Sequence, residues 1–160
     1  MIDVGSLSDL TVAVFGLGRS GLATALALKN SGARVWAWDD DAAKRDAAAG
    51  HGVPLVDLTT CDWTGPVALV FSPGIPLHHP HPHAVAKLAR NAGVEIICDI
   101  ELLARSRPRA TLLGVTGTNG KSTTTALIGH IVGTAGRPIQ VGGNLGIPAL
   151  ELEPLGADGI

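Results

Sequence analysis

The chain has 160 residues, enough for one ordinary α/β domain or parts of two. Hydrophobic residues make up 46% and supply a core, while 21 glycines and 10 prolines suit many short strand-to-helix turns rather than disorder. The formal charge is only −2 with Lys and Arg scattered. A nucleic-acid groove would want a basic stripe, so no nucleic-acid partner is expected.

Cys61 and Cys98 stand apart without companions, which fits reduced thiols with packing roles better than zinc or a disulfide framework. The start, MIDVGSLSDL, lacks the basic and long apolar stretches of a signal peptide. Apolar runs such as Val67 to Phe71 fall far short of a bilayer span. No membrane segment is expected, and the chain reads as cytoplasmic.

Thr11 to Phe15 is a buried-strand candidate followed at once by glycines. Gly16-Leu17-Gly18-Arg19-Ser20-Gly21 matches G-x-G-x-x-G, and an Ala- and Leu-rich helix runs from Gly21 to Lys29. A second strand, Ala33 to Trp38, ends in Asp39-Asp40-Asp41, where a dinucleotide fold would place its ribose-binding acid. The bare chemical reading is a pocket for a phosphorylated or diphosphate-bearing ligand, with loop N–H groups of Arg19, Ser20 and Gly21 facing the phosphates. The same glycines would also serve a tight turn and close helix–sheet packing.

A short helix is expected from Lys44 to Ala49, a strand from Val67 to Phe71, a helix from Ala84 to Asn91 and a strand from Val94 to Cys98. Ser72-Pro73-Gly74-Ile75-Pro76 follows the third strand at the carboxyl edge, where open α/β sheets bind ligands, although a rigid connecting turn has a fair claim. His78, His79, His81 and His83 in HHPHPH invite a metal, but the interspersed prolines prevent helical spacing and no Cys or acid joins them. An exposed loop introducing the next helix is the better reading. The alternation predicts a mostly parallel sheet with helices on its faces.

At RSRPR, Arg105 to Arg109, the pattern breaks, which divides the chain into a Rossmann-like domain over 1–106 and a second, incomplete α/β unit over 107–160. That unit restarts with a strand expected over Ala110 to Val115, then Gly114-Val115-Thr116-Gly117-Thr118-Asn119-Gly120-Lys121-Ser122, then a helix from about Lys121 to Thr134. His130 on that helix reads as a face or packing residue. Strand, glycine turn, GKS and helix in this order form a nucleoside-triphosphate loop. Backbone N–H groups make a nest for phosphates, Lys121 adds charge and Ser122 offers a hydroxyl to Mg²⁺. The commonest form would have glycine where Val115 stands; here glycines recur every third residue instead. Ile139 to Val141 is a further short-strand candidate before Gly142-Gly143-Asn144, and Asn144 presents both an acceptor and a donor.

Taken together, GLGRSG, SPGIP, DIELL at Asp99 to Leu103, GVTGTNGKSTTT and GGNLGIPAL resemble, in order and over nearly the whole chain, the beginning of the Mur ligases of peptidoglycan synthesis. The combination is most similar to their D-glutamate-adding branch. The resemblance implies a Rossmann-like UDP-sugar domain followed by the start of a P-loop-type ATPase domain, with a C-terminal domain beyond. It implies ATP and Mg²⁺ as cofactors, UDP-N-acetylmuramoyl-L-alanine and D-glutamate as substrates, and a monomer. Gly117, Thr118, Asn119, Gly120, Lys121, Ser122 and Thr123 would then hold the phosphates of ATP, with Ser122 on the metal and Lys121 and Ser122 serving catalysis. Arg19 and Ser20 would face the UDP diphosphate, Asp39 and Asp40 the uracil. Ser72, Pro73 and Gly74 would line the sugar site, and Asn144 would reach the substrate across the cleft.

The implied reaction phosphorylates the substrate carboxylate to an acyl phosphate, which the amine of D-glutamate attacks. Asp40-Asp41 departs from the Thr-Arg type of sequence expected beside the uracil acid. The family's later magnesium-binding glutamate, histidine and carbamylated lysine fall outside these residues, so the piece alone is expected to be inactive. Another Mur-type ligase, an NAD-binding oxidoreductase domain and a non-enzymatic nucleotide-binding module are the alternatives.

Overall fold

The computed structural model describes residues 1–78, 81–106, 109–144 and 146–160. His79 and Pro80 of the histidine-rich loop, Arg107 and Pro108 of the expected boundary, and Leu145 of the GGNLGIPAL segment lie outside the described residues.

A four-stranded parallel sheet organises the first hundred residues, with strands β1 (Thr11–Phe15), β2 (Arg34–Trp38), β3 (Ala68–Phe71) and β4 (Glu95–Ile97) in the order β2-β1-β3-β4. Composition explains the order. TVAVF and ALVF are apolar along their whole length and every residue of β1 and β3 is buried, as central strands covered on both faces require. RVWAW and EII carry a charged, exposed first residue and are less completely covered, as edge strands allow. Register pairs Phe15 with both Trp38 and Phe71, which brings the ends of β1, β2 and β3 to one level at the carboxyl edge.

Helices α1 (Arg19–Asn30), α2 (Ala42–Gly50), α3 (Ala84–Asn91) and α4 (Asp99–Arg105) follow the four strands in turn. One core layer joins Val12, Val14, Val35 and Val70 to Ala25 and Leu28 of α1 and to Leu102 of α4. The other joins Ala13, Phe15, Leu69 and Phe71 to Leu58, Trp63 and the Val85, Ala86 and Ala89 face of α3. Each fully buried Leu, Val or Phe contributes about 1.5–3 kcal/mol. Alternate residues of β1 point to opposite layers, the doubly wound arrangement of a Rossmann-like fold. The helix at Asp99–Arg105 goes beyond the sequence reading, which singled out DIELL only as a motif; Asp99 and Glu101 in its first turn and Arg105 in its last suit the helix dipole.

The segment after Arg109 differs from its expectation. Helix α5 (Lys121–Thr134) forms with the expected bounds, but Ala110 to Val115 and Ile139 to Val141 are not strands. A parallel strand exists only as part of a ladder. Among the described residues the first of these segments has a single backbone tie, Thr111 N–H to Gly159 O at 3.0 Å. Gln140 N–H to Ile160 O and Ile160 N–H to Pro138 O hold the second, again without a neighbouring strand. No residue of α5 is buried, and Leu112, Leu113, Leu127 and Ile131 are each at least half exposed.

One late segment behaves otherwise. A short 3-10 turn at Ala149–Glu151 places Ala149 and Leu150 in the core layer of α1 and α4, and Ile2 N–H donates to Leu150 O at 2.9 Å. Among the described residues no helix is long and apolar enough to cross a membrane.

Candidate nucleotide-binding edge

The first glycine loop is built between the ends of three strands. Gly16 N–H donates to Trp38 O of β2 at 2.8 Å, Ser72 N–H to Phe15 O at 3.0 Å, and Ser72 Oγ to Gly16 O at 3.0 Å. Two of the three motif glycines are steric necessities. A Cβ on Gly21 would stand 1.7 Å from Gly16 O, and one on Gly16, whose φ is +92°, would meet Ile75 Cδ1 at 2.6 Å. Gly18 is different, with nothing within 4 Å of the same position. It caps α1 without any side-chain acceptor, which leaves the first N–H groups of the helix without a capping side chain, a setting that suits an anion.

Of the residues expected here, Ser20 is half-buried beside the loop and Arg19 is exposed, its guanidinium donating to Gly146 O. That contact joins the first loop to the segment carrying Asn144, which is itself exposed. Ser72 clasps the loop, while Pro73 and Gly74 are exposed at the turn. Ser20, Ser72, Pro73 and the buried Asp99 surround a small cavity of about 10 Å³. Ser72 and Pro73 also rim a broader cleft of about 740 Å³ that runs past Ile97, Cys98 and Arg105.

The acidic run at the end of β2 divides its labour. Asp39 is buried, and its Oδ2 accepts from Leu17 N–H at 2.6 Å while Oδ1 accepts from Asp41 N–H at 2.9 Å. Lys44 Nζ lies 3.6 Å from the same carboxylate. Asp39 therefore braces the glycine loop from beneath. Asp41 caps α2 by accepting from Ala43 N–H at 2.9 Å. Asp40 is exposed and meets His83 Nε2 at 2.9 Å. Arg45 donates to the carbonyls of Asp39 and Asp40 and lies over the Trp38 ring at 4.5 Å, fixing the turn.

Sequence reasoning named His83 only within the histidine-rich loop and missed its contacts, and it missed Arg45 altogether. The histidine loop does introduce α3, but His83 is its cap, with Nδ1 accepting from Val85 N–H at 3.2 Å. Histidine is not a usual capping residue, so no sequence signal marked it. Among the described residues no group of three His, Cys, Asp or Glu side chains is placed to hold a metal ion. Cys61 and Cys98 are free thiols, and burial pushes the Cys61 thiol up.

The second loop is open. Gly117 has φ +144°, and Gly120, at φ +78°, caps α5 in the left-handed region without a side-chain acceptor. The first turn bond recorded is Thr124 N–H to Gly120 O, so the N–H groups of Lys121, Ser122 and Thr123 have no acceptor among the described residues. Lys121 Nζ folds over the loop onto the carbonyls of Gly117 and Thr118, at 2.5 and 3.1 Å. Thr118, Asn119, Ser122 and Thr123 are exposed. Free helix-terminal N–H groups, a lysine ammonium and a hydroxyl form a set that suits a triphosphate and its Mg²⁺.

No family model matches the chain. Individual proteins do. The UDP-N-acetylmuramoylalanine–D-glutamate ligase of Rhodospirillum rubrum is 57% identical over 89% of the chain and 31% of its own length. The ligase of the same name from Caulobacter vibrioides is 52% identical over 97% of the chain and 34% of its own length. That of Brucella abortus is 51% identical over 99% and 35%. The chain thus spans about one third of the length of the curated relatives it matches. Identity of 51–57% over 89–99% of the chain shows that the chain belongs to the Mur ligase family.

Proposed function

We propose that these residues are the UDP-sugar-binding unit and the phosphate loop of an ATP-dependent ligase. That ligase joins D-glutamate to UDP-N-acetylmuramoyl-L-alanine in peptidoglycan synthesis. The observation that carries this reading is the 51–57% identity to relatives bearing that name. Two loops with free backbone donors, one at each of two helix starts, give it chemical substance. The uncapped start of α1 at Gly18 would take a diphosphate, and Arg19 and Ser20 stand on the same turn. Ser72, Pro73 and Gly74 continue the edge towards the sugar, and Asn144 is joined to it through the Arg19–Gly146 contact.

On the second loop, Gly117 to Thr123 would hold ATP, with Ser122 on Mg²⁺. Bound there, ATP would supply the phosphoryl group and Mg²⁺ would offset the charge on its oxygens, so that the substrate carboxylate is activated as an acyl phosphate for the amine of D-glutamate. The chain's own contribution is positive charge and oriented dipoles: Lys121 Nζ, now on the carbonyls of Gly117 and Thr118, would turn to phosphate oxygens, and the N–H groups of Lys121 to Thr123 would donate to the oxygens on which charge develops. Lys121→Ala is expected to weaken ATP binding by about tenfold or more while leaving the unfolding midpoint unchanged, since Lys121 is exposed.

The domain division at 106/107 and a monomeric state form part of the same proposal. The 160 residues alone catalyse nothing, because one third of the relatives' length omits most of a ligase; phosphate release with all substrates present, at an ordinary enzymatic rate, would refute that. The NAD-binding alternative suits the geometry less well, because Asp39 is turned into the loop with both oxygens engaged rather than presented to a ribose. Calorimetric titration with UDP-N-acetylmuramoyl-L-alanine, with NAD as control, tests the reading. Saturable binding of the UDP-sugar alone is the expected result, and a preference for NAD would overturn it.

A further inference from the structure

Three acids stand in a row at the end of β2, and two are already committed. Asp39 gives one oxygen to Leu17 N–H and the other to Asp41 N–H, and Asp41 caps α2. Asp40 is exposed, with one carboxylate oxygen, Oδ2, on His83 and the other, Oδ1, accepting from no group among the described residues. His83 is itself fixed at three points. Its Nδ1 accepts from Val85 N–H, which requires that the proton sit on Nε2, so Nε2–H donates to Asp40. Its ring lies 4.5 Å from that of Phe15, the last residue of β1. The imidazole therefore reaches from the start of α3, over the end of β1, to the turn after β2.

We propose that His83 is a positioning residue for recognition of the nucleobase: it orients Asp40 so that the free carboxylate oxygen accepts the N3–H of uracil. The inference rests on the UDP-binding reading given above. Uracil has one ring N–H donor once N1 carries the sugar, and a carboxylate is an acceptor only, so the two match at a single point. An exposed aspartate free to rotate would lose much of that bond to ordering entropy and to water. A carboxylate held through its other oxygen has less to lose. Arg45 reinforces the arrangement by holding the carbonyls of Asp39 and Asp40.

The test separates capping from positioning. His83→Asn keeps a side-chain oxygen that caps α3 but is too short to reach Asp40, so the fold should be retained. Binding of UDP and of 3-methyl-UDP, which lacks the N3 donor, is measured by calorimetry for the 160-residue chain, His83→Asn and Asp40→Asn, with thermal unfolding of each. The unaltered chain should prefer UDP. His83→Asn should unfold at nearly the same temperature yet bind UDP about tenfold more weakly, with its preference over 3-methyl-UDP reduced. Asp40→Asn should lose the preference altogether. If Asp40→Asn loses it and His83→Asn keeps both affinity and preference, the role given to His83 is wrong while the UDP site stands. If neither variant changes the preference, Asp40 does not read the base and the inference fails. An unaltered chain that is folded and binds no UDP overturns the proposed function, and this inference with it.

Discussion

The two glycine loops share a plan, strand or extended segment followed by a turn and a helix, yet they sit in opposite surroundings. The first is gripped from β2 and from Ser72 and braced by the buried Asp39, and its helix α1 buries Gly21, Ala23, Thr24, Ala25, Ala27 and Leu28. The second is followed by a helix of similar apolar content that buries nothing. Local sequence can therefore set a phosphate loop and a helix without a sheet behind them, but the rigidity of such a loop comes from its neighbours. The first loop is held on three sides. The second presents donors on an element that its own region leaves uncovered.

That contrast can be broken most directly by truncation of leucines. Leu150→Ala, in the α1–α4 core layer, should cost about 2–5 kcal/mol in urea unfolding, whereas Leu127→Ala on α5 should stay within about 0.5 kcal/mol. Similar losses for both would mean that α5 is covered in solution. Next in size is a pair within the first loop. Gly21→Ala drives a methyl into Gly16 O and should destabilise by about 1–3 kcal/mol, with loss of UDP binding. Gly18→Ala, with φ at −65° and open space around it, should leave the unfolding midpoint near that of the unaltered chain and weaken UDP alone. A Gly18 variant that unfolds like Gly21→Ala would show that the open space is not there.

The smallest expected effect concerns pH. Arg105 donates to both oxygens of Glu95 at 2.7 Å and to Glu101 at 2.8 Å, tying α4 to β4 and holding the Glu95 carboxyl below the usual carboxylate range. A carboxyl depressed in the folded state stabilises above its unfolded pKa, and the gain is lost as pH falls through the folded value. Stability should thus decline slightly as pH drops below about 4.5, and Arg105→Ala should flatten that part of the curve. The pair is solvent-exposed, so added salt should shrink the difference. A decline of the same shape in Arg105→Ala would assign the acid sensitivity elsewhere.

Much of the first region was legible in the residues themselves. TVAVF and ALVF read as buried strands, and the spacing of Gly16, Gly18 and Gly21 between strand and helix marks the loop. Asp39 was legible as the acid at the end of β2, but the direction of its carboxylate was not, because that depends on which backbone N–H groups the folded turn leaves unpaired. Asp41 carries a readable signal in retrospect, as an aspartate directly before the Ala-rich helix. His83 carries none, since histidine is not a usual cap and its other partner, Asp40, comes from the turn after β2. Ala110 to Val115 reads as a strand for the same reason β1 does. Periodicity and apolarity record what a segment is able to join, and the ladder itself must come from elsewhere in the chain.

Leu150 closes against Ile2, almost the whole length of the chain away. During synthesis the sheet and its helices would leave the ribosome well before that contact became possible. The α1–α4 layer would wait with an apolar slot open at its side until Ala149 and Leu150 emerged. Such a late, long-range closure slows the final step of folding, and it makes the slot the place where a partly made chain is most exposed to chaperones and to aggregation.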